Sequence, residues 1–306
     1  MLKRLFAALL ALCLALAPAA MAENDSASIP SNPKRVVDLT GHSDVLCIMG
    51  LNVVGTANAR SDNPALLPSY LESELANAKV LGVSNQVYFD LEAIRALEPD
   101  FILIAPQQEE IKEKLREIAP TATVKLAMRS WKADMLSLGE LFGRRAAVAT
   151  WLDNYSAKSH YIGDNIKSVQ GGTIRCLALM ISGEQMYAFV DAGLGGILYG
   201  DLGLGRPVGM SDRMGINMTT IGFNQLSRLE MDYLFIIGTE AELKELRHKE
   251  EWMKLPVVQK NHVKELPVEP YLGMSYSCLG ADMLLNEIAT MFHARTTAPE
   301  ATNAPQ

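Results

Sequence analysis

The chain has 306 residues, 49% of them hydrophobic and 21% charged, with a formal net charge of −7. That length and apolar content suit one large or two medium lobes with real cores. The acidic balance excludes the basic footprint that grips nucleic acid or an anionic membrane, so a bound anion must meet a local cluster of Arg or Lys.

Lys3 and Arg4 precede an almost unbroken apolar run from Leu5 to Ala17, then Pro18 and the small-x-small site Ala20-Met21-Ala22 ahead of Glu23. This is the layout of a secretory signal peptide over residues 1–22, cleaved after Ala22. The run is too short for a stable membrane anchor. Cys13 lies inside it behind the bulky Leu12, which argues against a lipoprotein site. The mature chain is therefore expected to be exported. Its three cysteines, Cys47, Cys176 and Cys278, are far apart in apolar settings, without CxxC or zinc spacing. Buried thiols are expected, and the pairing of any disulfide stays open.

Arg35 to Leu39 is a short β-like run, Ser43 to Met49 reads as a helix, and Val53 to Gly55 as the next strand. Asp90 is placed to cap a helix through Leu91, Ile94 and Leu97 that ends before Pro99. Asp100 to Ala105 is a buried-strand run, Glu109 to Ile118 is amphipathic, and Thr121 to Leu126 is a strand. From Arg144 to Val169, apolar residues (Val148, Trp151, Leu152, Tyr155, Ile162, Ile166) recur every three or four positions until Gly171-Gly172. This predicts one long helix, roughly 40 Å at 1.5 Å per residue. Cys176 to Ile181 and Asp232 to Ile237 are apolar strand runs, and a charged helix follows to Lys249. Val257, Val258 and Val263 suggest short final strands, and Ser275 to Phe292 has helical spacing. Gly193 to Gly200 is glycine-rich but fails GxGxxG at Leu198 and follows no clear strand, so a flexible loop or helix start is expected. Alternating strands and helices on both sides of one long helix predict an α/β fold: an N-terminal lobe over residues 33–143, a bridging helix over 144–170 and a C-terminal lobe over 173–294. The Thr-, Ala- and Pro-rich tail 295–306 is expected to be disordered. No P-loop, HExxH or GxSxG is present, and no enzyme is expected.

Several segments resemble the helical-backbone periplasmic binding proteins of ABC importers. The stretch from Phe89 to Ile104 (FDLEAIRALEPDFILI) is similar to the family's L-E-x-I-x-x-L-x-P-D motif and hydrophobic run. Arg35 to Leu39 with Leu51 to Gly55 resembles its opening strand–helix–strand, and Glu251 to Val263 (EWMKLPVVQKNHV) its C-lobe tryptophan motif. Leu115 to Thr121 (LREIAPT), with Trp131 downstream, resembles the ferric-siderophore branch. The resemblance spans nearly all of 33–292. It implies two Rossmann-like lobes with mostly parallel sheets joined by the bridging helix, the class III arrangement. It also implies a periplasmic location, no cofactor, a monomer, and a ligand cleft served by an ABC permease.

The ligand implied is a ferric siderophore of citrate or hydroxamate type; haem or cobalamin, or an accessory role in iron release or signalling, are the alternatives. Such a chelate brings its own oxygen donors for the hard ferric ion. The protein supplies aromatic walls and forked Arg donors. Loops that follow parallel strands are where such ligands sit. That rule selects His42, Arg60, Tyr88, Gln107, Arg129, Trp131, Tyr187, Arg213 and Tyr276 as ligand-binding candidates, and among further loop positions Ser182, Gln185 and Thr239. The family also carries an exposed glutamate on each lobe for the permease. Glu109 or Glu110 is the first-lobe candidate, whereas Asn224 stands where the second-lobe glutamate is expected.

Overall fold

A computed structural model describes residues 29–30, 32–126, 130–210 and 217–297. Residues 1–22, expected as a signal peptide, together with Arg129, Arg213 and the tail beyond residue 297, lie outside the described residues.

The first lobe opens with β1 (Val36–Asp38), α1 (Ser43–Ile48), β2 (Val53–Thr56) and β3 (Lys79–Val80). It continues through α2 (Leu91–Arg95), β4 (Phe101–Ile104), α3 (Lys112–Arg116) and β5 (Thr121–Thr123). The sheet order is β3-β2-β1-β4-β5, with every pairing parallel. Central strands of such a sheet are covered on both faces, which is why Phe101 to Ile104 is an unbroken apolar run with no exposure. Asp90 caps α2 by accepting from the Glu92 and Ala93 amides. The amphipathic stretch expected over 109–118 divides into a 3-10 segment, Pro106–Ile111, and α3. The Gln108 side chain accepts from the Ala105 amide at 2.8 Å and holds that tighter start. The two-residue β3 is too short to leave a pattern.

Two helices follow, α4 (Trp131–Leu141) and α5 (Arg145–Val169), the latter 25 residues without a break. Helix α5 ends where Gly171 takes φ 76° and the Gly172 amide donates to Lys167 O at 2.8 Å. Its buried face is Val148, Tyr155, Ser159, Ile162, Gly163 and Ile166. At Gly163 a Cβ would stand 2.0 Å from Leu202 O, so only glycine lets the second lobe come this close to the helix.

The second lobe comprises β6 (Cys176–Ser182), β7 (Gln185–Phe189), the single turn α6 (Gly193–Gly195) running into a π-helical turn over Gly196–Asp201, β8 (Met218–Ile221) and α7 (Phe223–Leu226). Next come β9 (Tyr233–Gly238), α8 (Glu240–Arg247), α9 (Glu250–Met253), α10 (Pro256–Gln259), β10 (Val263–Pro267), α11 (Val268–Met274) and α12 (Cys278–Met291). Sheet order is β10-β9-β6-β7-β8. The first three strands are parallel, while β7 and β8 form an antiparallel edge. Two expectations are corrected here. Val257 and Val258 lie in α10, because Pro256 at its first position starts a helix, and only Val263 is in a strand. The glycine-rich stretch at 193–200 does follow a strand, β7; of the two readings offered for it, loop or helix start, the helical one holds.

Among the described residues, apolar packing falls into three clusters. One covers the outer face of the first sheet (Val37, Ile102, Leu115) and one the outer face of the second (Leu179, Ile236, Trp252). The third is continuous through the molecule: Phe101 and Leu103, then Val148, Tyr155 and Ile162 of α5, then Phe189 and Phe235, then Leu284, Leu285 and Ile288 of α12. Helices α5 and α12 are thus shared between the lobes. Asp44 of α1 reinforces this by accepting from Ser277 Oγ at 2.6 Å and the Cys278 amide at 3.0 Å, a carboxylate at the N-terminus of α12. Cys176 and Cys278 are buried free thiols and Cys47 is half-buried.

Candidate functional site

Between the lobes lies a cleft of about 220 Å³. Its first-lobe wall is Ser130, Trp131 and Lys132; its second-lobe wall is Val190 to Gly193, Gly195 to Ile197, Gly200, Asp201, Arg206 and Tyr276. Ser130 caps α4, its side chain accepting from the Ala133 amide, and this sets the first turn that carries Trp131 and Lys132. Trp131 stands edge-on to Trp151 and Tyr155 of α5, with ring centroids 5.9 and 5.1 Å away. The long helix therefore fixes the indole that faces the cleft.

Asp201 ties the two walls together. One of its oxygens pairs with Lys132 Nζ, and the other accepts from the Tyr155 hydroxyl at 2.7 Å. Lys132 Nζ also lies 5.3 and 5.1 Å from the Trp131 and Tyr155 ring centroids. Burial, then the charge and hydrogen bond of Asp201, push the Tyr155 phenol far above its ordinary value, so this hydroxyl is a permanent donor. On the opposite wall Arg206 pairs with Asp191 at 2.5 Å, its guanidinium 4.8 Å from the Tyr199 ring centroid. Gly193, at φ 55°, lets Tyr276 pack close, since a Cβ there would lie 2.8 Å from the phenol tip.

A second hollow of about 350 Å³ opens on the first lobe at the carboxyl ends of β1, β2 and β3, lined by Gly41, Asn58, Ser61, Tyr70, Ser84 and Asn85 among others. Its floor is rigid. The buried Asp38 carboxylate accepts from the Thr40 amide and hydroxyl, the His42 amide and Ser43 Oγ. Asn58 Nδ2 donates to Gly41 O at 2.7 Å.

Of the ligand-binding candidates, Trp131 and Tyr276 meet on opposite walls of the cleft. Arg60 stands beside Ser61 of the second hollow and forks onto Asp62 at 2.9 and 2.6 Å. Gln107 donates to Ser84 O at 3.0 Å on the rim of that hollow. His42 turns toward α4, its Nε2 3.7 Å from the buried Asp134. Tyr88 is exposed, its hydroxyl donating to Glu110 at 2.7 Å. Tyr187 is half-buried in mid β7, opposite Met180 and Thr220, and does not line the cleft. Arg129 and Arg213 lie outside the described residues. Glu109 accepts from Thr123 at 2.6 Å and pairs with Lys112 at 3.0 Å; burial opposes, but these bonds hold its carboxyl below the ordinary range. Asn224 is exposed on α7.

Sequence reasoning missed Lys132, Asp191, Asp201, Arg206 and the glycine wall. The rule of strand carboxyl ends points in the second lobe to Ser182, Gln185 and Thr239. Ser182 and Gln185 flank the β6–β7 turn, Thr239 caps α8, and Glu242 bonds both Thr239 and the Gly183 amide; none of them lines the cleft. Because β7 runs antiparallel, its carboxyl end brings the chain to the other side, and the segment after β7 builds the wall. The acids flanking the glycine run, Asp191 and Asp201, were the signal available.

A family model described as periplasmic binding protein matches residues 48–270. The iron(3+)-hydroxamate-binding protein FhuD of Bacillus subtilis (strain 168) is 28% identical over 221 residues, covering 70% of this chain and 67% of that protein. The probable siderophore-binding lipoprotein YfiY of the same organism is 27% identical over 188 residues, covering 60% of this chain and 55% of its own. A solved structure, a periplasmic binding protein component of a Fep/Fec-like ferrichrome ABC transporter from Bacillus subtilis, shares the fold with a TM-score of 0.70 at 24% identity, over 89% of this chain and 100% of that one. Among the described residues, no helix is long and apolar enough to cross a membrane.

Proposed function

The chain belongs to the periplasmic binding protein family, and on that premise we propose that it captures a ferric siderophore of citrate or hydroxamate type between its lobes and presents it to an ABC permease. The observation that carries this reading is the cleft itself. Trp131 and Tyr276 face each other as aromatic walls, and Lys132 and Arg206 bring cationic donors from opposite sides. Aromatic faces with a few aimed polar groups suit a preassembled chelate that supplies its own iron donors. Both cations already have carboxylate partners, so they offer hydrogen bonds to ligand oxygens more than a strong positive field. Function is then capture and presentation, with no bond made or broken in the ligand. Residues 1–22 are read as a signal removed on the way to the periplasm, and the mature chain as a monomer. The exposed Glu109, Glu110 and Asn224 are proposed to face the permease.

Tryptophan fluorescence tests the ligand class. The mature chain is titrated with ferric citrate, ferric hydroxamates, ferric catecholates, haemin and cobalamin. One ferric citrate or hydroxamate complex is expected to quench with sub-micromolar affinity, with most of the signal lost in Trp131→Phe. Lys132→Ala and Arg206→Ala, which remove the two cationic donors of the cleft, are expected to weaken it. A response to haemin or cobalamin alone moves the ligand to the alternative class, and silence toward every chelate rejects the reading.

A further inference from the structure

Glycines in the described chain have local reasons, with one exception. Gly41, Gly82, Gly193 and others sit at positive φ. At Gly55, Gly163, Gly195, Gly238, Gly273 and Gly280 an added Cβ would come within 3 Å of a neighbour. At Gly196 it would press to 3.1 Å on Asp191 O. Gly222 has open space and an ordinary φ, but it is the N-cap of α7, where glycine is favoured. Gly200 has no such reason. Its φ is outside the left-handed region, and a Cβ would meet no atom within 4 Å. It lies inside the helical turn 196–201, where alanine holds the backbone better than glycine. The fold gains nothing from the missing side chain.

What Gly200 does have is a place on the cleft. It is exposed there, next to Gly196 on the same wall, with Trp131 and Lys132 across the gap. The adjacent Asp201 is pinned by Lys132 and Tyr155, so the main chain at 200 cannot easily yield to a larger group. We propose that the bare backbone at Gly200 is a specificity determinant for ligand bulk. It keeps open the space in which the rigid body of a chelate seats against Trp131. This inference rests on the proposed capture of a ferric chelate and names the residue that sets the size admitted.

The test compares the unchanged mature chain with Gly200→Ala, Gly200→Leu and, as a control away from the cleft, Gly222→Leu. Thermal unfolding is followed by circular dichroism. Ferrioxamine B and ferric citrate are titrated by calorimetry. Gly200→Ala is expected to unfold at the same temperature or about 2 °C higher. Affinity for the chelate that binds is expected to fall in the order Gly, Ala, Leu, by about tenfold or more for leucine, and to be unaltered in Gly222→Leu. Gly200→Leu binding as tightly as the unchanged chain, or Gly200→Ala unfolding well below it, overturns the inference and leaves the proposed function standing. Failure of the unchanged chain to bind either chelate overturns both together.

Discussion

Replacing Gly163 by alanine puts one methyl group where the second lobe's backbone already is. The new Cβ would stand 2.0 Å from Leu202 O, 2.8 Å from its carbonyl carbon and 3.1 Å from its Cα. A carbon and a non-bonded oxygen need more than 3 Å, so α5 and the turn ending at Asp201 must part by about 1 Å or distort. Overpacking of this kind costs about 1–3 kcal/mol, and backbone as the obstacle places it at the upper end. Alanine returns about 1 kcal/mol of helix propensity. The net loss is about 2 kcal/mol, which for a chain near this size lowers Tm by about 4–8 °C. Thermal unfolding measures it, with Gly200→Ala as the partner experiment. The same substitution a short distance away enters open space and is expected to have the opposite sign or none. If Gly163→Ala left Tm unchanged or raised it, the close approach of helix and lobe would be wrong.

Asp201→Asn removes the charge that holds Lys132 and weakens the acceptor of the buried Tyr155 hydroxyl. A loss of about 1–3 kcal/mol is expected in denaturant unfolding, with a red shift of tryptophan emission as Trp131 loosens; an unaltered spectrum and midpoint would contradict it. Burial alone would lower the His42 pKa, but the nearby Asp134 carboxylate and the charges of Asp44 and Asp38 raise it above the ordinary 6.5. Its stabilising contribution is therefore complete below about pH 6.5 and lost as pH rises through the folded value. Tm profiles should converge for the unchanged chain and His42→Gln at alkaline pH and separate at acid pH; parallel profiles refute this. Burial pushes the Cys47 thiol up to about 12 and that of Cys278 well above its ordinary range. In the reduced folded chain Ellman's reagent should label Cys47 slowly at about pH 8, and Cys176 and Cys278 only after unfolding. Prompt labelling of a buried thiol would contradict the packing.

Legibility in the sequence followed the length of the signal. Helix α5 declares itself because 25 residues repeat one period, and β4 because a doubly covered strand is apolar throughout. The cap at Asp90 was readable since a carboxylate before an apolar-periodic run has one good use. Strands β7 and β8 were not, because five and four residues with mixed burial resemble loop. That loss propagated to the site. Without β7 the direction of the second sheet's edge is unknown, so the chain end that builds the cleft wall cannot be chosen. Trp131 and Tyr276 were reachable as large aromatics near strand ends. Lys132, Asp201 and Arg206 were not, since a charge looks the same on a surface and in a cleft until its partner across the lobes is known.

The bond from Asp44 to the start of α12 joins positions more than 230 residues apart. A polypeptide leaves the ribosome with its beginning first. One Asp44 oxygen would then wait without its α12 donors until almost the whole chain had emerged, and so would the hydrophobic seat prepared for Leu284, Leu285 and Ile288. Completion of the earliest-emerging half is thereby made to depend on arrival of the last segment. Any product cut short before Ser277 lacks both α12 donors of Asp44 and leaves the apolar seat of that helix uncovered.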